Sequence, residues 1–209
     1  MADNQNTLWL AWAREIQALS QSGIAYSESD YDIQRYRRLM EIAGDIIAHH
    51  TALSRQSVLE DFTMQVGYAT PKVDVRGAVV REGQILLVQE RSDGRWCMPG
   101  GWADVGSVPS EMVEREVREE SGFDVTAQKV IGVYDANRSP EALEYYHAYK
   151  IVFLCSLVGG EARPSDETAA VGFFRLDGLP PLSKNRTDER HLRDVWAHAR
   201  DGDRAAAFD

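Results

Sequence analysis

A glycine turn followed by an acidic helical pattern constrains this chain more than any other stretch of its sequence. Gly100 and Gly101 open a polar loop, which leads into apolar residues at helical spacing between Ser110 and Gly122. Three glutamates stand at i, i+3 and i+4 of that pattern: Glu116, Glu119 and Glu120. A helix would place their carboxylates on one face, and Gly122 predicts where it ends.

Crowding these carboxylates has a cost that calls for a reason. Like charges at this spacing destabilise a helix by roughly 0.2–0.5 kcal/mol per pair. A solvated acidic face is the ordinary interpretation of such a cluster. Converging carboxylates also suit Mg²⁺ or Mn²⁺, which prefer hard oxygen ligands. The glycine loop in front and Arg115 beside the cluster favour the metal interpretation.

The stretch resembles the Nudix box, G-x5-E-x7-R-E-U-x-E-E-x-G-U, in which U is a bulky apolar residue. The matching positions are Gly101, Arg115, Glu116, Val117, Glu119, Glu120, Gly122 and Phe123. One position departs from the pattern, because the family's first glutamate falls on Ser107. Since Ser107 precedes Val108-Pro109 and the helical run, we expect it to cap the N-terminus of the helix.

The resemblance implies metal-dependent hydrolysis of a pyrophosphate bond, with Mg²⁺ or Mn²⁺ as cofactor. It implies that Glu116, Glu119 and Glu120 are the metal-site carboxylates, with the Gly101 carbonyl as a further candidate ligand. Glu116 and Glu120, one helical turn apart, are expected to contact the metal directly. Arg115 is expected to orient a neighbouring glutamate through a charge-assisted hydrogen bond.

The general base and the phosphate ligands are left open by the sequence. The base could be a box glutamate such as Glu119, or a carboxylate delivered from a loop. Glu167 is the loop candidate, and Asp166 beside it is a rival. Three arginines could meet phosphates, and nothing in the sequence selects among them: Arg76, Arg91 and Arg138.

The chain before the strands reads as a helical segment. Apolar periodicity predicts three helices: over 8–19, from about Asp30 behind the cap candidate Ser29, and over 57–66. A turn is expected at Gly23, and Thr70-Pro71 breaks the helical pattern. We therefore expect a helical domain over 1–68, which serves dimerisation and borders the substrate pocket, and a second domain over 69–209.

The second domain has strand patterns on both sides of the acidic helix. Strands are predicted over 73–80, 84–90, 125–135, 145–158 and 171–176, with a loop over 137–141. A final amphipathic helix starts near Thr187, and the tail over 201–209 is expected to fray. This order predicts an α/β fold, an α/β/α sandwich. The Nudix resemblance implies the same fold with a mixed sheet.

Over nearly its full length the chain also resembles the Nudix subgroup that carries an N-terminal helical domain, through its WLAWA, GGWADVG and LPPLS motifs. That resemblance implies a homodimer and a small-molecule nucleotide substrate, a nucleoside diphosphate linked to another moiety, with CDP-choline favoured. ADP-ribose or another nucleotide sugar is the alternative substrate. The alternative from another functional class is a catalytically weak Nudix-like protein that binds nucleotides or has a regulatory role.

Composition argues against several other functions. The net charge of −10 disfavours binding to a nucleic-acid backbone, which needs a basic stripe. No run of 18 apolar residues predicts a membrane span, and the N-terminus lacks a secretory signal, so we expect a cytoplasmic protein. Cys97 and Cys155 are too few for a disulfide framework and are expected to be buried thiols.

Overall fold

The structure is a computed structural model that describes residues 8–138 and 145–209. The described chain divides into two compact units. One contains residues 8–71 with 145–147, and the other contains 72–138 with 148–209. The loop predicted over 137–141 falls mostly outside the described residues, which stop at Arg138 and resume at Tyr145.

The first unit is helical, as predicted. Its helices are α1 (Leu8–Tyr26), α2 (Asp30–His50) and α3 (Arg55–Thr63). They bury a shared apolar cluster: Ala13, Met40, Ala43, Ile47, Val58 and Phe62. Ser29 caps α2 as predicted, since its side chain accepts a hydrogen bond from the backbone N–H of Asp32 at 3.3 Å.

The predicted turn at Gly23 is wrong, because α1 continues through this residue to Tyr26. A Cβ atom at Gly23 would lie 2.5 Å from the ring of Tyr36 in α2. The glycine therefore serves the close packing of two helices. Its conformational preference alone does not break a helix that tertiary contacts support.

Tyr145 belongs to the helical unit, although the sequence pattern placed it in a strand. Its hydroxyl contacts the carboxylate of Asp61, and its ring meets Phe62 edge-on at 5.9 Å between centroids. Its carbonyl accepts a hydrogen bond from Arg14 Nε at 3.0 Å. The strand begins at Ala148, because Tyr145 is held by contacts with the helices.

The second unit is built on a mixed seven-stranded sheet. Its strands are β1 (Lys72–Arg81), β2 (Gln84–Glu90), β3 (Trp96–Cys97), β4 (Phe123–Asp135), β5 (Ala148–Gly160), β6 (Thr168–Phe174) and β7 (Ala207–Phe208). The order is β3-β2-β1-β5-β4-β7, with β6 paired to β2. β1 runs parallel to β5, whereas β2 is antiparallel to β1 and β4 to β5.

Two helices cover the two faces of this sheet: α4 (Pro109–Ser121) and α5 (Glu189–Arg200). Alternation along β1 decides which face each side chain joins. Val75 and Val79 are buried with α4, and Ala78 is buried with α5. The predicted α/β/α sandwich with a mixed sheet, after an N-terminal helical region, is confirmed, and both cysteines are buried free thiols.

The tail predicted to fray is ordered instead. Ala207 and Phe208 form β7, which pairs in parallel with Gly132 and Val133 of β4. The side chain of Asp209 accepts hydrogen bonds from the backbone N–H of Asp135 at 2.7 Å and from Arg190 at 2.5 Å. These long-range bonds are invisible to a local pattern. Within the described residues, no helix has the length and apolar character needed to cross a membrane.

Candidate active site

Helix α4 begins at Pro109, and the expected cap by Ser107 is wrong. Val108 occupies the N-cap position, where no side chain accepts a hydrogen bond, and its carbonyl accepts the N–H of Met112 at 2.9 Å. Ser107 lies one residue too early for that role, because Pro109 fixes the first helical position. Gly122 ends the helix as predicted, in the left-handed conformation with φ 78°.

The three clustered glutamates of α4, Glu116, Glu119 and Glu120, differ in burial. Glu120 is buried, Glu116 is half-buried and Glu119 is exposed. The apolar side of α4 faces the sheet through Val113 and Val117. Glu116 and Glu120 follow these valines by three residues, so their carboxylates lie at the edge of the core. Desolvation there disfavours the charged form of the carboxyl group.

Glu120 is the most perturbed of the three. Its Oε2 accepts a hydrogen bond from the backbone N–H of Gly100 at 2.9 Å. Burial raises its pKa to about 7, against the opposing charge of Arg76 and with further upward contributions from Glu90 and Glu116. A buried carboxylate with like-charged neighbours favours any added positive charge.

Strand β1 holds the glycine loop next to Glu116. The backbone N–H of Val75 donates to the Gly101 carbonyl at 2.9 Å, so one lone pair of that oxygen remains available. A Cβ atom at Gly101 would lie 3.0 Å from Glu116 Oε2, so glycine leaves room for this carboxylate. Burial and the charge of Glu119 raise the pKa of Glu116.

Arg115 makes its hydrogen bond to an aspartate rather than to the expected glutamate. Its Nη2 donates to Asp104 Oδ2 at 2.5 Å, and its Nε lies 4.0 Å from Glu119 Oε1. The charge of Arg115 also lowers the pKa of Glu116 against the stronger effect of burial. Asp104 lies in the loop between the glycines and α4, where the box pattern gives no reason to expect it.

The loop before β6 brings Glu167 towards this cluster. The Thr168 hydroxyl donates to the Glu120 carbonyl at 2.8 Å, which ties the start of β6 to the end of α4. Glu167 is exposed, and its charge contributes to the raised pKa of Glu116. Asp166 is exposed in the same loop. The sequence therefore found both loop carboxylates without deciding between them.

The three arginines that the sequence could not rank have different surroundings. Arg76 is buried, donates to Asp74 at 3.1 Å and to the Met98 carbonyl at 3.2 Å, and is already satisfied. Arg91 is exposed and donates to the Ser165 carbonyl at 3.3 Å, in the loop that carries Glu167. Arg138 lies 3.6 Å from Asp209. Arg91 is the one of the three that is both exposed and near the acidic cluster.

Buried charges beneath the loop were missed by the sequence reasoning. Lys150 donates to the Asn185 carbonyl at 2.8 Å and lies 3.5 Å from Asp74, and burial lowers its pKa to about 8. Glu90 is also buried and lies 3.5 Å from Arg186. Both residues stand in apolar strand patterns, and their charged neighbours come from distant parts of the sequence.

The donor chemistry fits a divalent cation. Among the described residues, no group of three His, Cys, Asp or Glu side chains converges closely enough to hold a metal. Burial nevertheless raises the pKa of both Glu116 and Glu120, and the charge of Glu116 raises the pKa of Glu120 further. A bound cation would offset this repulsion with charge. The two carboxylates, rather than the exposed Glu119, are therefore the suitable pair.

Comparisons with known proteins match two family models to this chain. A model described as the NUDIX domain matches residues 71–195, and a model described as a UDP-X-like, N-terminal oligomerisation domain matches residues 7–62. The Bacillus subtilis (strain 168) protein named "Putative ADP-ribose pyrophosphatase YjhB" is 38% identical over 203 residues, covering 97% of this chain and 98% of that protein.

Two solved structures are similar in fold and sequence. An ADP-ribose pyrophosphatase from Streptococcus suis 89-1591 is 42% identical with a TM-score of 0.61, covering 67% of this chain and 100% of that chain. A UDP-X diphosphatase is 28% identical with a TM-score of 0.63, covering 98% and 99%. Since the NUDIX model spans more than half of the chain and contains strands β1 to β6, the glycine loop and α4, the chain belongs to the Nudix family and is a pyrophosphate hydrolase of that family.

Proposed function

We propose that this enzyme hydrolyses the pyrophosphate bond of a nucleoside diphosphate linked to another moiety, with Mg²⁺ or Mn²⁺ as cofactor. The observation that carries the proposal is the pair Glu116 and Glu120, two carboxylates of raised pKa held against a glycine loop. When bound, the metal neutralises phosphate charge and lowers the pKa of water.

Each box residue then has a defined task. Glu116 and Glu120 hold the metal, Glu119 adds a third carboxylate at the exposed side, and the free lone pair of the Gly101 carbonyl is a further candidate ligand. Arg115 orients Glu119. Outside the box, Glu167 acts as general base from the loop before β6, with Asp166 as its rival.

The names of the relatives support a choice among the candidate substrates. Two of them are named for ADP-ribose and one for UDP-X, which favours a nucleotide sugar over the CDP-choline expected from the sequence. We therefore place ADP-ribose first. The sequence does not identify the side chains that read the base and the leaving group, so CDP-choline stays in the test.

A substrate panel with the purified protein tests the proposal. ADP-ribose, a UDP-sugar, CDP-choline and ATP are incubated with Mg²⁺ or Mn²⁺, and the products are separated by anion-exchange chromatography. Release of a nucleoside monophosphate from a diphosphate derivative, dependent on the metal, is the expected result. Absence of turnover on all four compounds with either ion would contradict it.

We also propose that the chain is a homodimer assembled through the helical domain over 1–68, which precedes a catalytic domain over 69–209. The matched oligomerisation model supports this. So does α1, whose face away from the core exposes apolar residues: Leu8, Trp12, Leu19 and Tyr26. Trp12, Leu19 and Tyr26 recur every seven residues and so lie on one side of the helix. Such a stripe suits a second copy of the same helix.

A further inference from the structure

The ion pair between Arg115 and Asp104 has no place in the box pattern. The pattern puts its first glutamate at position 107, where this chain has a serine. In the structure the carboxylate that Arg115 binds comes instead from Asp104, at 2.5 Å. Both side chains are partly exposed, 37% for Arg115 and 64% for Asp104. An exposed pair contributes little to folding stability, so its position beside the site needs another explanation.

The backbone holds Asp104 in place on both sides. The N–H of the preceding Ala103 donates to the Val73 carbonyl at 2.8 Å, which anchors the loop to the start of the sheet. The Asp104 carbonyl accepts the N–H of Ser107 at 3.2 Å, which closes a turn. The carboxylate therefore projects from a segment fixed by two hydrogen bonds. The same turn places Ser107 next to Asp104 in space.

Without Asp104, the guanidinium of Arg115 would be left with the carboxylates of the site. Glu119 Oε1 already lies 4.0 Å from Arg115 Nε, and the charge of Arg115 already lowers the pKa of Glu116. A cation that moves onto these carboxylates opposes the binding of a metal ion there by charge repulsion. Asp104 supplies a partner outside the cluster and so holds Arg115 at its edge.

We propose that Asp104 is a positioning residue that gives Arg115 the carboxylate partner which Ser107, at the position of the box glutamate, cannot supply. It holds Arg115 beside Glu119 and keeps the guanidinium from moving further onto the carboxylates of the site. The inference rests on the proposed function, because it concerns the carboxylates that would bind the metal. It makes a specific claim about this chain, namely that a carboxylate at position 107 can replace the one at position 104.

The test combines Asp104→Asn with Asp104→Asn/Ser107→Glu. Mn²⁺ binding to the protein without substrate is measured by electron paramagnetic resonance, and kcat and KM are measured on the best substrate of the panel. Asp104→Asn is expected to weaken Mn²⁺ binding about tenfold, the lower end of what losing an outer-sphere partner costs. The double variant is expected to restore most of that affinity. Asp177→Asn is the matched control, because Asp177 pairs with Arg175 at 3.0 Å on the surface.

A double-mutant cycle separates positioning from a general effect of charge. If Asp104 acts through Arg115, then Asp104→Asn has no further effect on Mn²⁺ affinity in an Arg115→Ala background. Additive losses, no rescue by Ser107→Glu, or an equal loss in Asp177→Asn would each overturn the inference. Wild-type protein that binds no Mn²⁺ and hydrolyses nothing would refute the proposed function itself. Wild-type activity that Asp104→Asn leaves unchanged would refute only the role of Asp104.

Discussion

Glu120 accepts a hydrogen bond from the backbone N–H of Gly100 at 2.9 Å, which joins the last turn of α4 to the first glycine of the loop. The bond crosses 20 residues of sequence. It fixes one oxygen of a buried carboxylate and leaves the other for a ligand. The loop and the helix are therefore one structural unit, and changes to either should affect the same site.

Replacing Glu120 by Gln should abolish metal-dependent turnover with little change in fold. Glutamine keeps the size and can still accept the Gly100 N–H, but it carries no charge. Losing an outer-sphere partner costs roughly 10–100-fold, so losing a metal ligand should lower kcat/KM by more than about 100-fold. Glu111→Gln, an exposed glutamate in the first turn of α4, is the control. Near-native rates for Glu120→Gln at saturating Mg²⁺ would refute the assignment.

Gly100→Ala should destabilise the protein strongly. Gly100 has φ 144°, and a Cβ atom there would lie 2.0 Å from the Val75 carbonyl oxygen. The backbone conformation costs roughly 1–3 kcal/mol and the overpacking roughly 1–3 kcal/mol more. Gly106→Ala is the control, with φ 91° and open space around the new atom, and should cost about 1–2 kcal/mol. Urea unfolding compares them, and equal losses would show that the close approach is unimportant.

Ser107→Ala should change the free energy of unfolding by less than about 0.5 kcal/mol, the usual range for a surface substitution away from special features. The reason is that Val108, and not Ser107, occupies the N-cap of α4. Ser54→Ala provides the comparison, because the Ser54 side chain accepts the Ser57 N–H at 3.0 Å and caps α3. That variant should lose about 1 kcal/mol. A similar loss for Ser107→Ala in urea denaturation would mean that serine does cap α4 in solution.

His191 should make a contribution that lowers the free energy of unfolding in mild acid. Burial lowers its pKa to about 2, and its Nδ1 accepts the backbone N–H of Asp188 at 3.1 Å, which requires neutral imidazole. Below pH ~6.5 the unfolded chain binds a proton that the folded protein excludes, so unfolding becomes easier by about 1.4 kcal/mol per pH unit. This loss begins at the unfolded pKa and continues down towards pH 2.

Urea denaturation at pH 7.5 and 5.5 measures this dependence. His191→Gln should reduce the slope by about one proton. The remaining slope combines His198, whose pKa burial lowers, with Glu120, whose pKa burial raises to about 7 and whose contribution has the opposite sign. His49→Gln, at the exposed end of α2, is the control substitution. A slope in His191→Gln that equals that of the wild type would show that His191 is protonated in the folded protein.

Introducing a charge on the exposed face of α1 should dissociate the proposed dimer. Leu19 is 61% exposed on this face, and Leu19→Lys would place an ammonium inside the proposed interface. Light scattering should then show a monomer where the wild type is a dimer. Leu53→Lys changes another exposed leucine of the helical unit, outside α1, and should leave the dimer intact. A monomeric wild type, or a dimer in Leu19→Lys, would rule out this interface.

The sequence predicted those features that depend on local order. Helical spacing identified α4 and the cluster of three glutamates on one of its faces, and Gly122 marked the end of that helix. The order of strand and helix patterns gave the layers of the sandwich. The metal candidates and Glu167 were also named from local motifs, and their roles remain predictions. Each of these inferences uses residues within a few turns or strand lengths of one another, where backbone geometry alone sets the neighbours.

Only the tertiary structure decided which charges are neighbours. Asp104 became the partner of Arg115, and Glu90 joined Glu120, through a loop and strands that no periodicity connects. Gly23 is helical because Tyr36 packs against it. Tyr145 lies outside the strand that its sequence pattern predicted and packs against Phe62. Burial then set the unequal pKa values of glutamates that look alike in sequence. Desolvation and Coulomb interactions depend on how groups are arranged in space. The number of residues between two groups in the sequence does not determine that arrangement.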